Sequence, residues 1–418
     1  MNAMNIKDRL KIYDSLNKVV ETGKGRERAK PDITIFKGFS VQETPHGPSY
    51  IRTRVFDSTH VHGNTSLSRF AEINNRNLPY IGRSRELSDI DISKLLFFDT
   101  ESTGLSSGTG THIFLAGFGY FSESRFIIKQ FFLRDFDEEV AFLFSINELM
   151  KEFECLVSYN GKSYDWPLLQ TRLTYARMKD PVKYKYHIDL LHHSRRIWKR
   201  RLSSCNLENI EREILNFIRY DDTPGYLIPG IYFDYLRNYK FQPIQGIIDH
   251  NLNDIISLAA LLIIFDNIVK DPFGTLEHPT DRMSLAHYYD QIQEFTESVR
   301  IYESLCENEM ETAKRTSAKI KLGNCYKRSG QWDLAVKIWT DLIERTTFNL
   351  EVYIELAKYY EHRSGEYDRA IEIVTRALAS LEIMDEIDSR NEYREGRLEL
   401  NRRLERLNRK VNKHNFGK

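Results

Sequence analysis

The chain has 418 residues, 29% of them charged and 41% hydrophobic, which is typical of a soluble globular protein with two or three domains. Lysine plus arginine and aspartate plus glutamate number 60 each, so a nucleic-acid partner would need a local basic surface. The sequence has neither a signal-peptide core near its start nor an apolar run of membrane-spanning length, so we expect a cytoplasmic protein with no membrane partner. The four cysteines lack metal-type spacing and are typical of reduced thiols.

Residues 1–90 are interpreted as an N-terminal extension with a short β segment. Within it, the runs on either side of Pro45-His-Gly-Pro48 predict two strands joined by a turn. His60 and His62 follow, with the spacing of one strand face. They are read either as metal or phosphate contacts or as loop histidines, and the lack of a carboxylate or cysteine beside them favours loop histidines.

Four apolar residues, Leu95 to Phe98, run directly into Asp99, Thr100 and Glu101. A short apolar run that stops at a glycine-containing turn is typical of a strand buried on both faces. Since side chains alternate along a strand, Asp99 and Glu101 project from the same face. Two adjacent carboxylates are tolerated when a divalent cation lies between them, and oxygen ligands suit Mg²⁺ or Mn²⁺. The alternative is a solvated strand end.

The next segments predict the rest of an α/β domain over residues 91–272. Two further strands have connections too short for crossover helices, so the first three strands form an antiparallel meander. Helices and strands then alternate, in the order typical of a ribonuclease H-like sheet. The predicted elements are strands 111–121 and 125–133, helix 138–153, strand 156–160, a helix from 167, strand 186–190 and helix 247–268.

After Pro272 the sequence predicts helices only, with an internal repeat. The segment 321–336 recurs at 355–371, a period of about 34 residues, with Gly330 and Gly365 in the turns. This pattern resembles the tetratricopeptide repeat, in which paired helices stack. We therefore expect an all-α, tetratricopeptide-like domain over 281–381 and a basic C-terminal helix or tail over 382–418.

Two later motifs carry further candidates for the same site. Asp165 ends a strand segment and begins a helix, where it is read either as a site residue or as the helix N-cap. His250 and Asp254 are four residues apart and so share one helical face, and their apolar flanks argue against a plain hydrated surface.

These groups predict one two-metal site. Asp99, Glu101 and Asp254 would hold one divalent ion, and Asp99 with Asp165 the other. Two ions about 4 Å apart bind both sides of an in-line attack on a phosphodiester. His250 would take the proton from the attacking water, because an imidazole titrates near neutrality.

Three motifs, Asp99-Thr-Glu101-Ser-Thr-Gly-Leu105, Asn160-x-x-x-Tyr164-Asp165 and His250-x-x-x-Asp254, resemble in order those of the DEDD 3′→5′ exonucleases. The gap of three residues before Asp254 is that of the tyrosine subclass, whereas a histidine belongs to the histidine subclass. With its β segment and repeats, the chain resembles the bacterial YprB-type ribonuclease H-like proteins, which include the mitomycin-repair exonuclease. The resemblance implies a metal-dependent exonuclease acting on DNA 3′ ends in repair, beside a helicase.

The same resemblance implies roles for several further residues. Thr103 and Leu105 would contact the terminal nucleotide, and Asn160 and Tyr164 would position the strand end. Asp189 lies near the same sheet edge but matches none of the three motifs, so it is interpreted as structural.

A basic run follows the last predicted strand. It joins an aromatic side chain, Trp198, to five cations: Arg195, Arg196, Lys199, Arg200 and Arg201. This composition suits a nucleic-acid backbone with a base stacked on the indole. The alternative is a solvated basic helix face.

Two other functions remain open at this level. The repeats would make the chain a protein-binding adaptor with a vestigial or end-recognising nuclease domain. Alternatively, the same site would act on RNA.

Overall fold

The structure, a computed structural model, describes residues 30, 32–35, 38–57, 59–104, 110–179, 181–307, 312–345, 348–387 and 394–416. The chain divides into two compact units, Met1–Leu276 and Glu277–Lys418. The first unit contains the sheet and the second is helical, which confirms the predicted combination of an α/β domain and an all-α domain.

A seven-stranded mixed sheet forms the centre of the first unit. Its strands are β1 Phe39–Thr44, β2 Gly47–Asp57, β5 Leu95–Ser102, β6 Ile113–Ser122, β7 Arg125–Phe132, β8 Cys155–Ser158 and β9 Tyr186–Asp189, while β3 Val61–His62 and β4 Thr65–Ser66 form a separate two-stranded sheet. The strands of the large sheet lie in the order β1-β2-β7-β6-β5-β8-β9. β5, β6 and β7 form the expected antiparallel meander, and β8 pairs parallel to both β5 and β9.

The N-terminal hairpin is part of this same sheet. β2 pairs antiparallel with β7, with Tyr50 opposite Phe132. The ring of Phe39 packs edge-on against Phe132, with ring centroids 6.4 Å apart. The boundary expected between residues 90 and 91 therefore does not separate two compact units, because long-range strand pairing joins the segments on either side of it.

Helices cover both faces of the sheet and fill the connections. In chain order they are α1 Leu78–Gly82, α2 Glu139–Met150, α3 Asp165–Tyr175, α4 Leu190–Trp198, α5 Leu207–Glu213, α6 Ile228–Asn238, α7 Gln242–Lys270 and α8 Pro272–Thr275. α7 begins five residues before the predicted helix, and a proline lies in its first turn, where no intrahelical donor is lost.

α7 corrects the expectation that no apolar run reaches membrane-spanning length. Its 29 residues include a window of mean hydropathy 1.9, which is long and apolar enough to cross a bilayer. However, 83% of that window is buried inside the protein. The apolar composition is accounted for by packing in the core, where α7 contacts β5 and β6.

A close approach of α7 to the sheet positions the site. Asp99 lies opposite Gly117 in the antiparallel pair of β5 and β6. A Cβ atom at Gly117 would lie only 2.2 Å from Oδ1 of Asn251 on α7. Glycine at this position therefore lets α7 cross directly over the end of β5, where the register also shifts between Glu101 and Ser102.

The described residues of the second unit form three consecutive helix pairs and a final long helix. They are α9 Pro279–Gln291 with α10 Phe295–Glu307, α11 Thr312–Arg328 with α12 Trp332–Arg345, α13 Leu350–Tyr359 with α14 Tyr367–Ile387, and then α15 Arg394–Phe416. Gly330 and Gly365 adopt positive φ angles of 82° and 73° in the turns, as the repeat predicts. Gly323 lies against Trp339, where a Cβ would be 2.4 Å from the indole nitrogen. The tetratricopeptide assignment stays a prediction.

A buried ion network holds α15 in this unit. The carboxylate of Glu361 is inaccessible to solvent and accepts hydrogen bonds from Arg403, Arg406 and Lys410 at 2.7 to 2.9 Å. Burial acts to raise the pKa of Glu361, but the hydrogen bonds from Arg406 and Lys410 outweigh it and lower the pKa to about 2. The charged form is therefore the one that stabilises this contact.

Candidate active site

The acidic residues of the three separated motifs meet at one edge of the sheet. Asp99 and Glu101 project from the end of β5 toward α7, which carries Asp254. Asn251 of α7 donates its side-chain amide to Oδ2 of Asp99 at 2.8 Å. From the opposite face of β5, the hydroxyl of Thr100 donates to the carboxylate of Asp165 at the start of α3. Hydrogen bonds thus tie all three motif segments to the same strand end.

Three metal-binding groups lie together at the α7 side of this edge. Donor atoms of Glu101, His250 and Asp254 are all within 4.8 Å of one another. Nε2 of His250 lies 3.5 Å from Oδ2 of Asp254 and 3.9 Å from Oε1 of Glu101. The two carboxylates offer oxygen ligands suited to a divalent cation, and Nε2 of the imidazole lies beside them.

The electrostatics of the acidic side chains also favour a cation. Burial and the charges of Asp254 and Asp165 raise the pKa of Asp99 well above its usual range, and Asn251 only partly opposes this. The same causes raise the pKa of Glu101. Burial raises the pKa of Asp165 to about 6 despite the hydrogen bond from Thr100. A divalent ion would offset both the desolvation and the mutual repulsion of these carboxylates.

The observed group of metal-binding side chains differs from the first of the two expected ion sites, which consisted of Asp99, Glu101 and Asp254. The close group contains His250 in place of Asp99, whose Oδ2 atom is held by Asn251. The carboxylate of Asp165 is held by Thr100. The assignment of individual acids to two ions therefore stays a prediction. The alternative reading of Asp165 as a helix cap is wrong, because Tyr164 occupies the cap position and Asp165 begins α3.

Two residues that the sequence analysis did not identify, Arg219 and Asp222, complete the site. The Arg219 guanidinium donates to Glu211 at 2.6 and 2.7 Å and to Asp222 at 3.2 Å, and it also contacts Asp254. Nδ1 of His250 lies 2.8 Å from Oδ1 of Asp222. Both residues lie in the irregular connection between α5 and α6, where no periodicity or motif marks them.

An open cleft of about 350 Å³ gives access to these groups. It is lined by Asp99, His250 and Asp254 on one side and by the connection that carries Asp222 on another. Tyr159 also lines the cleft, and its hydroxyl donates to the backbone carbonyl of Cys205 at 2.6 Å. Asp99 and Asp254 therefore face an open space.

The residues expected to position the nucleotide have partners within the protein. Oγ1 of Thr103 accepts the backbone N–H of His112 at 3.0 Å, and the hydroxyl of Tyr164 donates to the carbonyl of Gly104. Asn160 has a positive φ of 67°. Leu105 lies outside the described residues. Nucleotide contacts by these four residues stay predictions.

Asp189 is structural, as expected. Its Oδ1 accepts the backbone N–H of Asn160 at 2.8 Å and that of Leu191 at 3.1 Å. The first bond holds the turn that precedes α3, and the second caps α4. The side chain therefore stabilises the turn next to Asp165.

The basic run lies partly on the protein surface, and its contact with a substrate stays a prediction. Arg195, Lys199 and Arg200 are exposed, and Arg196 and Arg201 are half-buried. Burial raises the pKa of the Cys205 thiol, and the positive charges of Arg195 and Lys199 oppose this effect, so both cations lie close to Cys205. The backbone carbonyl of Cys205 is in turn hydrogen-bonded to Tyr159, which lines the cleft.

The expected base stacking on Trp198 is wrong. This side chain is only 1% exposed and stacks on Phe265 of α7, with ring centroids 5.2 Å apart. Trp198 belongs to the apolar face of α4 and therefore to the core.

The histidine pair before the nuclease motifs is not a metal site. Nε2 of His62 lies 2.7 Å from the hydroxyl of Ser257, and its ring packs on Phe217 with centroids 3.9 Å apart. Burial lowers the pKa of His62 to about 3, so the ring is neutral. Within the described residues, the grouped metal donors do not include His60 or His62.

Comparison with known proteins agrees with this geometry. A family model of the RNase_H superfamily matches residues 96–265. This range contains all but the first residue of β5, strands β6 to β9 and most of α7. The Bacillus subtilis (strain 168) protein named "Uncharacterized protein YprB" is 32% identical over 342 residues, covering 80% of this chain and 82% of that protein. The chain therefore belongs to the YprB-type family of ribonuclease H-like proteins, and its first unit contains a nuclease-type domain.

Proposed function

We propose that the protein is a Mg²⁺- or Mn²⁺-dependent 3′→5′ exonuclease that hydrolyses phosphodiester bonds at DNA ends. The observation that carries this proposal is that Asp99 and Glu101, at the end of β5, lie close to Asp254 of α7 and to Asp165 of α3, so that carboxylates from three segments far apart in the chain repel one another. A binding module would not need four buried or half-buried carboxylates at one strand end, because burying them raises the free energy of the folded protein.

The donor set fits divalent ions. Glu101 and Asp254 would hold them together with Asp99 and Asp165, since carboxylate oxygens suit Mg²⁺ and Mn²⁺. Bound ions would supply charge neutralisation at the phosphate and activation of water. Nε2 of His250 faces the same acids and would accept the proton of the attacking water.

The basic run supports a nucleic-acid substrate. Arg195 and Lys199 are exposed beside the cleft lining, and Arg200 continues the same surface. Cations in this position would contact backbone phosphates without reading sequence. A role in DNA repair, and recruitment of a helicase through the second unit, are proposed from the family resemblance.

The test is digestion of DNA and RNA strands labelled at either end, single-stranded and duplex, with Mg²⁺ or Mn²⁺. We expect stepwise loss of nucleotides from DNA 3′ ends, and a reduction by orders of magnitude in Asp99→Asn. Asp234→Asn is the matched control, because this exposed aspartate of α6 makes the same charge change away from the cleft. An Asp99→Asn protein as active as the wild type would refute the mechanism, and degradation of RNA alone would favour the RNA exonuclease.

A further inference from the structure

His250 is held between two sets of acidic groups. On one side, Nδ1 lies 2.8 and 2.9 Å from the two carboxylate oxygens of Asp222. On the other, Nε2 faces Asp254 at 3.5 Å and Glu101 at 3.9 Å. Asp222 belongs to none of the three nuclease motifs, yet it makes the shorter contact to the imidazole.

These contacts decide which ring nitrogen carries the proton. A carboxylate only accepts hydrogen bonds, so the Nδ1 atom facing Asp222 is the N–H donor. Nη1 of Arg219 also lies 3.1 Å from Nδ1, but a guanidinium only donates, and it has its own acceptor in Asp222 at 3.2 Å. In neutral His250 the Nε2 lone pair therefore points at the acids of the cleft.

Asp222 is itself fixed by the Arg219 framework. The guanidinium is tied by Nε and Nη2 to Glu211, whose carboxylate is buried and also accepts the hydroxyl of Ser257. Only 6% of the Arg219 side chain is exposed. The carboxylate that orients His250 is therefore attached to the protein core, although it lies on an irregular connection.

We propose that Asp222 is a positioning residue that holds His250 in the Nδ1–H tautomer, with Nε2 free to accept a proton. The proposal rests on the proposed exonuclease function. As water attacks phosphorus, its O–H bond breaks, the proton forms an N–H bond on Nε2, and the freed electron pair forms the new P–O bond. The bond to the 3′ oxygen breaks, and this oxygen takes a proton from solvent. Asp222 stabilises the imidazolium that results.

The test uses the full-length chain and the Asp222→Asn variant. An asparagine can donate to Nδ1 and so favours the wrong tautomer, which leads us to expect a fall in kcat of about 10²–10⁴-fold. KM for DNA should change much less than kcat, because Asp222 acts on the reaction through His250 in this proposal. Asp221→Asn is the matched control. It removes the same charge one residue away, from an exposed side chain with φ of 55°, a conformation that asparagine tolerates.

A second readout measures the tautomer directly. In protein carrying ¹⁵N-labelled histidine, the His250 signals are those absent from the His250→Gln variant. We expect a protonated Nδ1 and an unprotonated Nε2 in the wild type and in Asp221→Asn, and loss of this state in Asp222→Asn. A purely structural role for Asp222 would lower stability without changing the tautomer.

The two readouts separate the possible failures. A wild-type His250 protonated on Nε2, or an Asp222→Asn protein that keeps both kcat and the tautomer, would overturn the proposal. If the wild type cleaved no substrate, the exonuclease function would fail, while the tautomer would still report whether Asp222 orients His250. If Asp222→Asn did not fold, the wild-type tautomer would decide.

Discussion

Replacing Gly117 with alanine is expected to raise the free energy of the folded first unit by about 2–4 kcal/mol. The added Cβ would lie 2.2 Å from Oδ1 of Asn251, so this side chain must move. Asn251 is fully buried, accepts from Gln130 at 2.9 Å and donates to Asp99 at 2.8 Å. Moving it sacrifices about 1 kcal/mol for each of these two bonds and adds the strain of an overpacked core.

The assay is hydrogen exchange of the β6 amides, read by mass spectrometry, because it reports the opening of the first unit separately from the second. The matched background is Asn251→Ala, which removes the obstructing atoms. In that background, Gly117→Ala should cost less than about 1 kcal/mol, since alanine then occupies vacated space. Equal costs of Gly117→Ala in both backgrounds would refute the idea that this glycine exists to admit Asn251.

The remaining predictions concern charge. Glu361→Gln should destabilise the second unit by about 3 kcal/mol at pH 7, since it removes a buried carboxylate that pairs with the buried Arg403 and with the partly exposed Arg406 and Lys410. Arg406 and Lys410 lower the pKa of Glu361 to about 2. The charged carboxylate therefore stabilises the second unit fully above its usual pKa of 4.5, and this stabilisation is lost as the pH falls through about 2. Acid unfolding monitored by circular dichroism should show this loss. Glu101→Gln should weaken Mn²⁺ binding in calorimetry about tenfold or more, and unchanged binding would remove it from the donor set. Arg200→Glu should weaken DNA binding for all sequences and reduce the slope of log K against log salt by about 1; an unchanged slope would exclude this surface.

The sequence identified the strands and the motif acids because their signals are local. Leu95 to Phe98 are at most 1% exposed, so the apolar run reports a buried strand directly. The pairing of β2 with β7 joins residues 68 to 82 positions apart, from Asp57 with Arg125 to Tyr50 with Phe132, and nothing in either segment specifies its partner. The N-terminal hairpin could therefore be predicted as a hairpin but not as two strands of the nuclease sheet.

The error at Trp198 has a different cause, because its signal was present in the sequence. Leu190, Leu191, Ser194 and Ile197 are buried and mark one face of α4, on which Trp198 also falls. Reading the basic run by composition placed the indole beside the cations, whereas helical periodicity places it on the opposite side. Arg195 is exposed on the same helix, and contact of the basic run with nucleic acid stays a prediction.

The acids on the two sides of His250 differ in whether an arginine pairs with them, and the sequence contains no motif that marks this arginine, Arg219. Arg219 neutralises Glu211 and Asp222 and contacts one oxygen of Asp254. Among the described residues, no lysine or arginine forms an ion pair with Asp99, Glu101 or Asp165. Burial raises the pKa values of all three, and repulsion by Asp254 and Asp165 adds to this effect at Asp99 and Glu101. The Arg219 guanidinium therefore neutralises the acids on the Asp222 side of His250, whereas the β5 acids Asp99 and Glu101 would be neutralised by bound divalent ions. This asymmetry explains how one connection can hold the imidazole rigidly while the acids on its other side remain available to divalent ions.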